Sequence, residues 1–332
     1  MLYNPEVQEQ HYQAIQRARL SERFDANETA FLERQLTQLR AKLFEVVHTE
    51  NRARSFMPFA TDIAESVEQY SYQVYDYSGE AAVVNLSAGA KDIPHIGLSS
   101  FEVTGKVYDI ADFYDWSINE LAEAARTGVD ISSRKAMAAK QVIENSIDMM
   151  LAFGRPNDRQ TNLVTTGLIN NAAVEALGIV NPANDAWVAG TTTADQIISD
   201  LNLIVEPIFT ASKGLFGADT LLLPQREYLI ASKTRIANTN ETALSYFLRT
   251  NPTVRNIDSW HRLTLAGAGG TTSRAVAYKR DPMVLEGVLP MDFRTLPPQA
   301  SQFRFEVYCQ ARCGGVKVYQ PIAMKYADFA QP

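Results

Sequence analysis

The stretch FRFEVYCQARCGGVKVYQPIAM, residues 303–324, carries the clearest structural pattern in the chain. From Phe303 to Cys313, apolar and polar side chains alternate without a break, which is typical of a strand with one buried and one wetter face. Gly314-Gly315 then supplies the positive-φ turn that a tight hairpin favours. Because further apolar residues follow this turn, the pattern predicts a long antiparallel hairpin.

Two long strands and one long helix are predicted upstream of this stretch. The run 70–77 is rich in Tyr and Val, and the run 101–109 alternates again. Residues 68–116 are therefore predicted to form two strands joined by an irregular tip. A helix is predicted over 130–153, with an apolar stripe and a stop at Gly154. At 1.5 Å per residue this helix spans roughly 33 Å, a length that suits the spine of a flat molecule.

Shorter elements complete a mixed pattern of helices and strands. Ser117 and Glu120 have the spacing of a capping box, and Pro224 suits the start of a helix. Residues 1–27 have too little apolar content to bury and are predicted to form an arm. Further helices are predicted at 31–46, 117–126, 194–209 and 241–249, and further strands at 220–223, 274–278 and 283–288.

The composition indicates a globular protein without a dedicated nucleic-acid surface. The chain has 332 residues, 46% of them hydrophobic, and a formal net charge of -7. Nucleic-acid binders need clustered Lys and Arg to displace counterions, which an acidic chain does not favour. No run of about 18 apolar residues occurs, so no contact with a membrane is predicted. The polar N-terminal region lacks a secretory apolar core, so synthesis in the cytoplasm is expected.

No constellation of catalytic, cofactor-binding or metal-binding residues is recognised, so no such residue and no cofactor is predicted. Cys309 and Cys313 lie four residues apart on one predicted strand, about 13 Å, which is too far for a disulfide. Both are expected to be buried thiols that behave as small hydrophobes. The histidines lack metal-ligand spacing; they are His11, His48, His95 and His261.

A glycine-rich segment and a group of three carboxylates each resemble part of a known kind of binding site. Gly267–Thr272 is rich in glycine, but no Lys follows its last Gly as in a phosphate-binding loop, so a flexible loop is predicted. The carboxylates of Asp109, Asp112 and Asp115 could form a cation site or an acid/base pair, or they could mark a solvated strand end. We favour the solvated strand end.

The order of several short motifs resembles one family over most of residues 30–330. The chain is similar to tailed-phage major capsid proteins with the Hong Kong 97-type capsid fold, specifically to those without a protease-cleaved scaffold segment. In chain order, the matching motifs are FLERQL at 31–36, DIP at 92–94, EL at 120–121, GLIN at 167–170, AY at 277–278, DP at 281–282, LPPQ at 296–299, ARCGGV at 311–316 and YQP at 319–321.

The resemblance implies an α+β fold with distinct parts. The parts are an N-terminal arm with a first helix (1–60), an extended β-hairpin loop (61–116), a peripheral domain (117–194 plus 296–332, with the spine helix at 130–153) and an axial domain (195–295). The tips of the axial domain would meet around the capsomer axis. The arm would clasp adjacent subunits, and the extended loop would lie across a neighbouring subunit.

The resemblance also implies a function. The chain would be a viral major capsid protein, not an enzyme, that self-assembles as hexameric and pentameric capsomers into the icosahedral or prolate head shell of a bacteriophage. The shell would enclose double-stranded DNA by weak, non-specific contact, and the expected partners are scaffolding, portal and decoration proteins. The protein would be made in the host bacterial cytoplasm and reside in the virion. Lys91 and Lys106 lie in the loop, but no complete set of residues for a covalent cross-link can be assigned.

Two alternatives stay open at the level of sequence. An encapsulin-type nanocompartment shell would share the fold but enclose a protein cargo. An α/β enzyme with dispersed site residues is an alternative of a different class and would form a small oligomer. Electron microscopy distinguishes shells from small oligomers, and the enclosed material distinguishes a phage from an encapsulin.

Overall fold

The computed structural model describes residues 49–79, 95–120, 126, 131–155, 165–183 and 186–331. The arm predicted at 1–27, the first helix at 31–46 and the loop tip at 80–94 lie outside these residues. The described chain mixes helices and strands, as expected of an α+β protein.

The boundaries of the elements are as follows. The helices are α1 (Ala53–Phe56), α2 (Ile131–Phe153), α3 (Ala172–Ala176), α4 (Ala194–Ala211), α5 (Gln225–Lys233) and α6 (Ala243–Thr250). The strands are β1 (Gln69–Ser78), β2 (Gly97–Lys106), β3 (Tyr108–Ser117), β4 (Gly154–Arg155), β5 (Thr165–Thr166), β6 (Thr220–Leu223), β7 (Asn256–Ser259), β8 (Thr272–Tyr278), β9 (Leu285–Val288), β10 (Met291–Thr295), β11 (Gln299–Ser301), β12 (Arg304–Cys313), β13 (Gly315–Val318) and β14 (Met324–Ala330). Short 3-10 turns cover His261–Leu263, Ala268–Gly270 and Pro321–Ala323.

The hairpin predicted over 303–324 is wrong, although its first strand is present as β12. Strand β12 pairs with β3 along one edge and with β10 and β11 along the other, so neither edge is open to a returning strand. Gly315 has a φ of 74°, and the amide of Gly314 donates to the carbonyl of Val288 at 2.8 Å. The glycine turn therefore leads the chain away from β12, and β13 pairs with β9.

The predicted burial of β12 is confirmed from its middle onward. Val307, Cys309, Ala311 and Cys313 are buried, whereas Phe303 precedes the strand and is exposed. Both cysteines are free thiols. Burial raises the pKa of Cys313 to about 11, so this thiol stays protonated at neutral pH.

Strands β14, β8, β6 and β7 form a four-stranded sheet that contributes to two hydrophobic cores. Successive side chains on a strand point to opposite faces of the sheet. Leu222 of β6 accordingly packs into the core that contains α2, whereas Leu221 and Leu223 pack into the core that contains α4, α5 and α6. The strands predicted at 220–223, 274–278 and 283–288 are confirmed as β6, β8 and β9.

The predicted spine helix is confirmed as α2. Its apolar stripe is buried at Ile143, Ile147 and Leu151, which recur at the four-residue spacing of one helix face. Gly154 follows the last helical residue with a φ of 64°, the left-handed conformation that favours glycine at a helix end. The amide of Leu168 donates to the carbonyl of Leu151 at 2.9 Å, so the GLIN motif covers the end of the helix.

Side-chain caps begin α4 and α6 in the second core. Thr193 caps α4 and Thr242 caps α6, each in a reciprocal capping box, so α6 begins slightly later than predicted. Pro224 precedes α5, as predicted. The predicted capping box of Ser117 and Glu120 is also present, because each backbone amide donates to the other side chain, at 3.0 and 3.1 Å.

Residues 53–57 pack into the first core, a contact that the sequence patterns did not reveal. Ala53, Phe56 and Met57 are buried. The amide of Ala53 donates to Asp148 of α2 at 2.9 Å, and the ring of Phe56 lies 5.4 Å from that of Trp260. This short segment therefore fastens the start of the described chain to the spine helix.

Arg274 joins three segments in the interior. Its side chain is 2% exposed and donates to both carboxylate oxygens of Asp328, at 2.8 and 3.1 Å. A third nitrogen donates to the carbonyl of Ile169 at 2.9 Å and to Glu175 at 2.5 Å. These acceptors satisfy the buried charge and connect β8 with β14 and with the segment that leads into α3.

We predict that Asp328→Ala strongly destabilises the subunit. The buried guanidinium of Arg274 would lose the two hydrogen bonds that it donates to the carboxylate of Asp328. Removing one member of a buried pair costs about 3–5 kcal/mol in free energy of unfolding, which urea denaturation measures. Asp115→Ala is the control, since its partner Arg304 is 65% exposed and such pairs contribute roughly 1 kcal/mol or less. Equal losses in the two variants would contradict the prediction.

Candidate assembly surface

Strands β1 and β2 form a two-stranded ribbon, as the sequence predicts. They pair antiparallel from Gln69 opposite Lys106 to Ser78 opposite Gly97. The second predicted run divides at Val107, whose amide donates to the carbonyl of Glu68 at 2.9 Å, and it continues as β3 beside β12. Because an isolated ribbon of two strands is marginally stable in water, it needs further contacts.

The root of the ribbon packs on β13 and the residue that follows it. The ring of Tyr72 meets Tyr319 edge to face at 4.9 Å, and the ammonium of Lys317 lies 5.4 Å from the ring centre of Tyr70. Tyr319 in turn donates to Glu286 of β9 at 3.0 Å. Burial at this contact raises the pKa of Tyr70 and lowers the pKa of Lys317. The sequence patterns did not reveal this contact, because its residues are far apart in the chain.

The apolar surface of the ribbon changes face along its length. Tyr70 and Tyr72 face the body, whereas Tyr75 and Tyr77 point to the opposite face, because side chains alternate along a strand. Leu98 lies directly opposite Tyr77 on β2 and shares its face. These outer side chains are 60%, 80% and 70% exposed for Tyr75, Tyr77 and Leu98. Contiguous exposed apolar groups of this kind mark a surface that a partner covers.

The three carboxylates on β3 do not converge on one site. Asp115 pairs with Arg304 at 2.7 Å and Asp109 with Arg312 at 2.6 Å, both across the ladder to β12. Asp112 occupies an alternate position on the strand, and its carboxylate accepts the amide of Phe113. The predicted solvated strand end therefore needs correction, because the three residues are spread along β3 and two of them are paired with arginines of β12.

The glycine-rich segment 267–272 wraps around a carboxylate of the protein itself. The amide of Ala268 donates to Asp328 at 3.0 Å, and the hydroxyl of Thr272 contacts the same oxygen at 3.4 Å. Gly269 and Gly270 have φ values of 69° and 72°. The prediction of a flexible loop therefore needs correction, because hydrogen bonds to Asp328 hold this turn against β14.

The structure describes two of the four histidines. His95 is exposed near the start of β2, and His261 is half-buried beside Arg262. Burial and the neighbouring guanidinium lower the pKa of His261. His11 and His48 lie outside the described residues. Within the described ranges, no group of three or more His, Cys, Asp or Glu side chains is arranged to hold a metal ion.

The helices among the described residues are too short or too polar to cross a bilayer.

Comparison with known proteins identifies the family of the chain. The model of the family described as "Major capsid protein" matches residues 79–329. The chain belongs to this major capsid protein family. No curated protein matches the chain.

Solved structures with a similar fold come from phages and from a GTA particle. The chain in "The capsid of Myoviridae Phage XM1" has a TM-score of 0.75 at 17% identity, over 93% of this chain and 99% of that one. A chain from Mycobacterium phage Adephagia has a TM-score of 0.62 at 14% identity, over 93% and 99%. A chain from "Capsid of empty GTA particle computed with C5 symmetry" has a TM-score of 0.59 at 12% identity, over 89% and 95%.

The family and the fold together distinguish among the three functions considered from the sequence, namely a phage capsid protein, an encapsulin shell and an enzyme. The α+β chain has the Hong Kong 97-type capsid fold, as the order of motifs indicated. It is a major capsid protein, a structural component of the virion that assembles with itself into the shell of a phage or GTA head. The encapsulin and enzyme alternatives are therefore set aside.

We predict that Gly105→Ala displaces the root of the ribbon. A Cβ atom at this position would lie 2.6 Å from Cε of Lys317 and closer still to Cζ of Tyr70. Overpacking of this kind costs about 1–3 kcal/mol, and hydrogen exchange of β1 and β2 amides should speed up in the free subunit. Gly97→Ala is the matched control on the same strand, because its Cβ would meet only Ser78, at 3.3 Å or more. Unchanged exchange in Gly105→Ala would contradict this account of the root.

Proposed function

We propose that the chain builds the head shell of a tailed phage around double-stranded DNA. Hexameric and pentameric capsomers would combine into an icosahedral or prolate shell. Membership of the major capsid protein family supports this proposal, as does the likeness to a capsid whose printed description specifies C5 symmetry. Scaffolding, portal and decoration proteins are the proposed further partners.

The observation that carries the proposal is the exposed apolar surface of the outer ribbon. Tyr75, Tyr77 and Leu98 face away from the side on which the root meets the body. The body of the same subunit therefore cannot cover them unless the ribbon folds back on itself. We propose that a neighbouring subunit covers this face in the shell, which would link subunits through apolar burial.

The domain division also belongs to the proposal. The core that contains α2 would be the peripheral domain, with residues 117–194 and most of 296–332, and residues 195–295 would form the axial domain. Strand β14 pairs with β8 along its length and contributes side chains to both cores, so it would join the two domains. Residues 1–60 would form the arm and the first helix.

The packaged DNA would touch this shell weakly and without sequence preference. The formal net charge of -7 disfavours tight binding to phosphates. Several basic side chains in the described residues are neutralised by carboxylates, as in the pairs of Arg54 with Asp292 and Arg262 with Asp148. A lining of balanced charge would let the genome slide during packaging.

We predict that assembly protects the amides of β1 and β2 from hydrogen exchange. Exchange should be fast in the free subunit beyond the root and slow in the shell, because a neighbour then covers the ribbon. Exchange mass spectrometry of the same preparation before and after assembly measures the difference. Equal protection in both states would mean that the ribbon folds back on its own subunit, and failure to form shells at all would contradict the proposed function.

A pair of substitutions on one face of β1 provides the matched test. Tyr77→Ser removes an exposed apolar contact and should reduce the yield of shells seen by sedimentation and electron microscopy. Ser71→Ala lies on the same face nearer the root and should assemble normally, because it removes only an exposed hydroxyl and no apolar area. Equal yields from both variants would show that the outer ribbon contributes nothing to assembly.

A further inference from the structure

The outer face of α4 carries a groove with apolar walls and two exposed carboxylates. Its volume is about 650 Å³. Asp195 and Glu206 are exposed on the helix, and Arg249, whose guanidinium lies 5.3 Å from the ring centre of the groove residue Tyr246, pairs with Glu241. Within the described ranges, neither groove carboxylate has an ion-pair partner. The groove is lined chiefly by Asp195, Ile198, Leu203, Glu206, Ile236 and Tyr246.

The last turn of α4 and the residues that follow it have the complementary chemistry. Phe209 and Leu215 are 56% and 72% exposed, and Lys213 is exposed between them without an ion-pair partner among the described residues. Lys213 has a φ of 52°, which is uncommon for a residue other than glycine, and Gly214 follows at 82°. The backbone thus holds two apolar side chains and one ammonium in a compact projection, which we call the 209–215 knob.

The knob cannot reach the far end of the groove on its own subunit. Helix α4 has 18 residues, so Asp195 at its first turn and Lys213 beyond its last turn lie roughly 27 Å apart. The Asp195 end of the groove can therefore meet a knob only from a second molecule, whereas Glu206 lies seven residues before Lys213 on the same chain. A contact between different patches of two identical chains is heterologous, and such contacts close into rings when the rotation permits.

We propose that the 209–215 knob of one subunit inserts into the α4 groove of the next subunit around a capsomer. Phe209 and Leu215 would bury against Ile198, Leu203 and Ile236. Lys213 would pair with Asp195 or Glu206 at the rim. This inference rests on the proposed function, because it requires copies of the chain to form rings. Beyond that function, it specifies which two surfaces of neighbouring subunits are in contact within each ring.

The direct test uses the native lysine and carboxylates of assembled shells. A water-soluble carbodiimide joins an amine to a carboxylate only where the two are in contact. Peptide mapping should find Lys213 joined to Asp195 or Glu206, and mixed shells of isotope-labelled and unlabelled chains should show that the join is between molecules. Lys213→Arg is the matched control, since it keeps the charge and removes the amine, so shells should form and this join should vanish.

Charge reversal gives an independent measurement. Glu206→Lys sets two positive groups against each other and should lower the yield of shells about tenfold or more, since like charges in contact cost several kcal/mol. Adding Lys213→Glu to the same chain should restore assembly. Gln225→Lys adds the same charge at an exposed position of α5, outside both surfaces, and should leave the yield unchanged.

The outcomes separate this inference from the proposed function. Wild-type shells without the join, or with these carboxylates joined to lysines of another protein, would overturn the knob-and-groove contact and leave the shell function standing. Failure of the swapped variant to recover, with its folded state intact by circular dichroism, would overturn it as well. An absence of shells from the wild-type chain would instead contradict the proposed function.

Discussion

The pairing of both edges of β12 is the constraint on which the rest of the subunit depends. Strand β3 occupies one edge, and β10 and β11 occupy the other. Because β3 continues directly from the ribbon, the first edge sets where the ribbon leaves the body. Because no edge is left for a hairpin, the chain after Gly315 must join β9 and then β8, which connects the two cores.

The buried guanidinium of Arg274 plays a corresponding role between segments. Its hydrogen bonds reach β14, the segment that leads into α3 and, through Asp328, the glycine turn before β8. A charge in the interior is tolerated only when its acceptors are fully arranged around it. The network therefore specifies one arrangement of these segments, which apolar contacts alone would define less sharply.

The apolar surfaces that the subunit leaves exposed are concentrated where the fold itself offers no cover. At the ribbon, the root is packed and the outer part is not, because the alternation of side chains transfers the apolar groups to the opposite face. At α4, the groove and the knob lie at different positions along one helix. The buried and the exposed apolar groups are thus separate sets, so the proposed assembly contacts would not compete with folding of the subunit.

The sequence by itself determined the elements whose signals are local. Periodicity and caps predict α2, the strand of β12 and the two strands of the ribbon, because each depends on residues within a few positions of one another. The order of motifs also indicated the capsid fold. The sequence patterns did not predict contacts between residues that are distant in the chain. Examples are the ring contact of Tyr72 with Tyr319 at the root of the ribbon and the hydrogen bond from Ala268 to Asp328.

Only the tertiary structure decided which strands pair and which apolar side chains remain uncovered. A strand pattern records that one face is buried but not which neighbour lies beside it, so β12 and β13 looked like partners although β9 is the true partner of β13. Partner choice depends on competition among all available edges. Which strands pair depends on the packing of the whole chain, so a local sequence pattern cannot predict it.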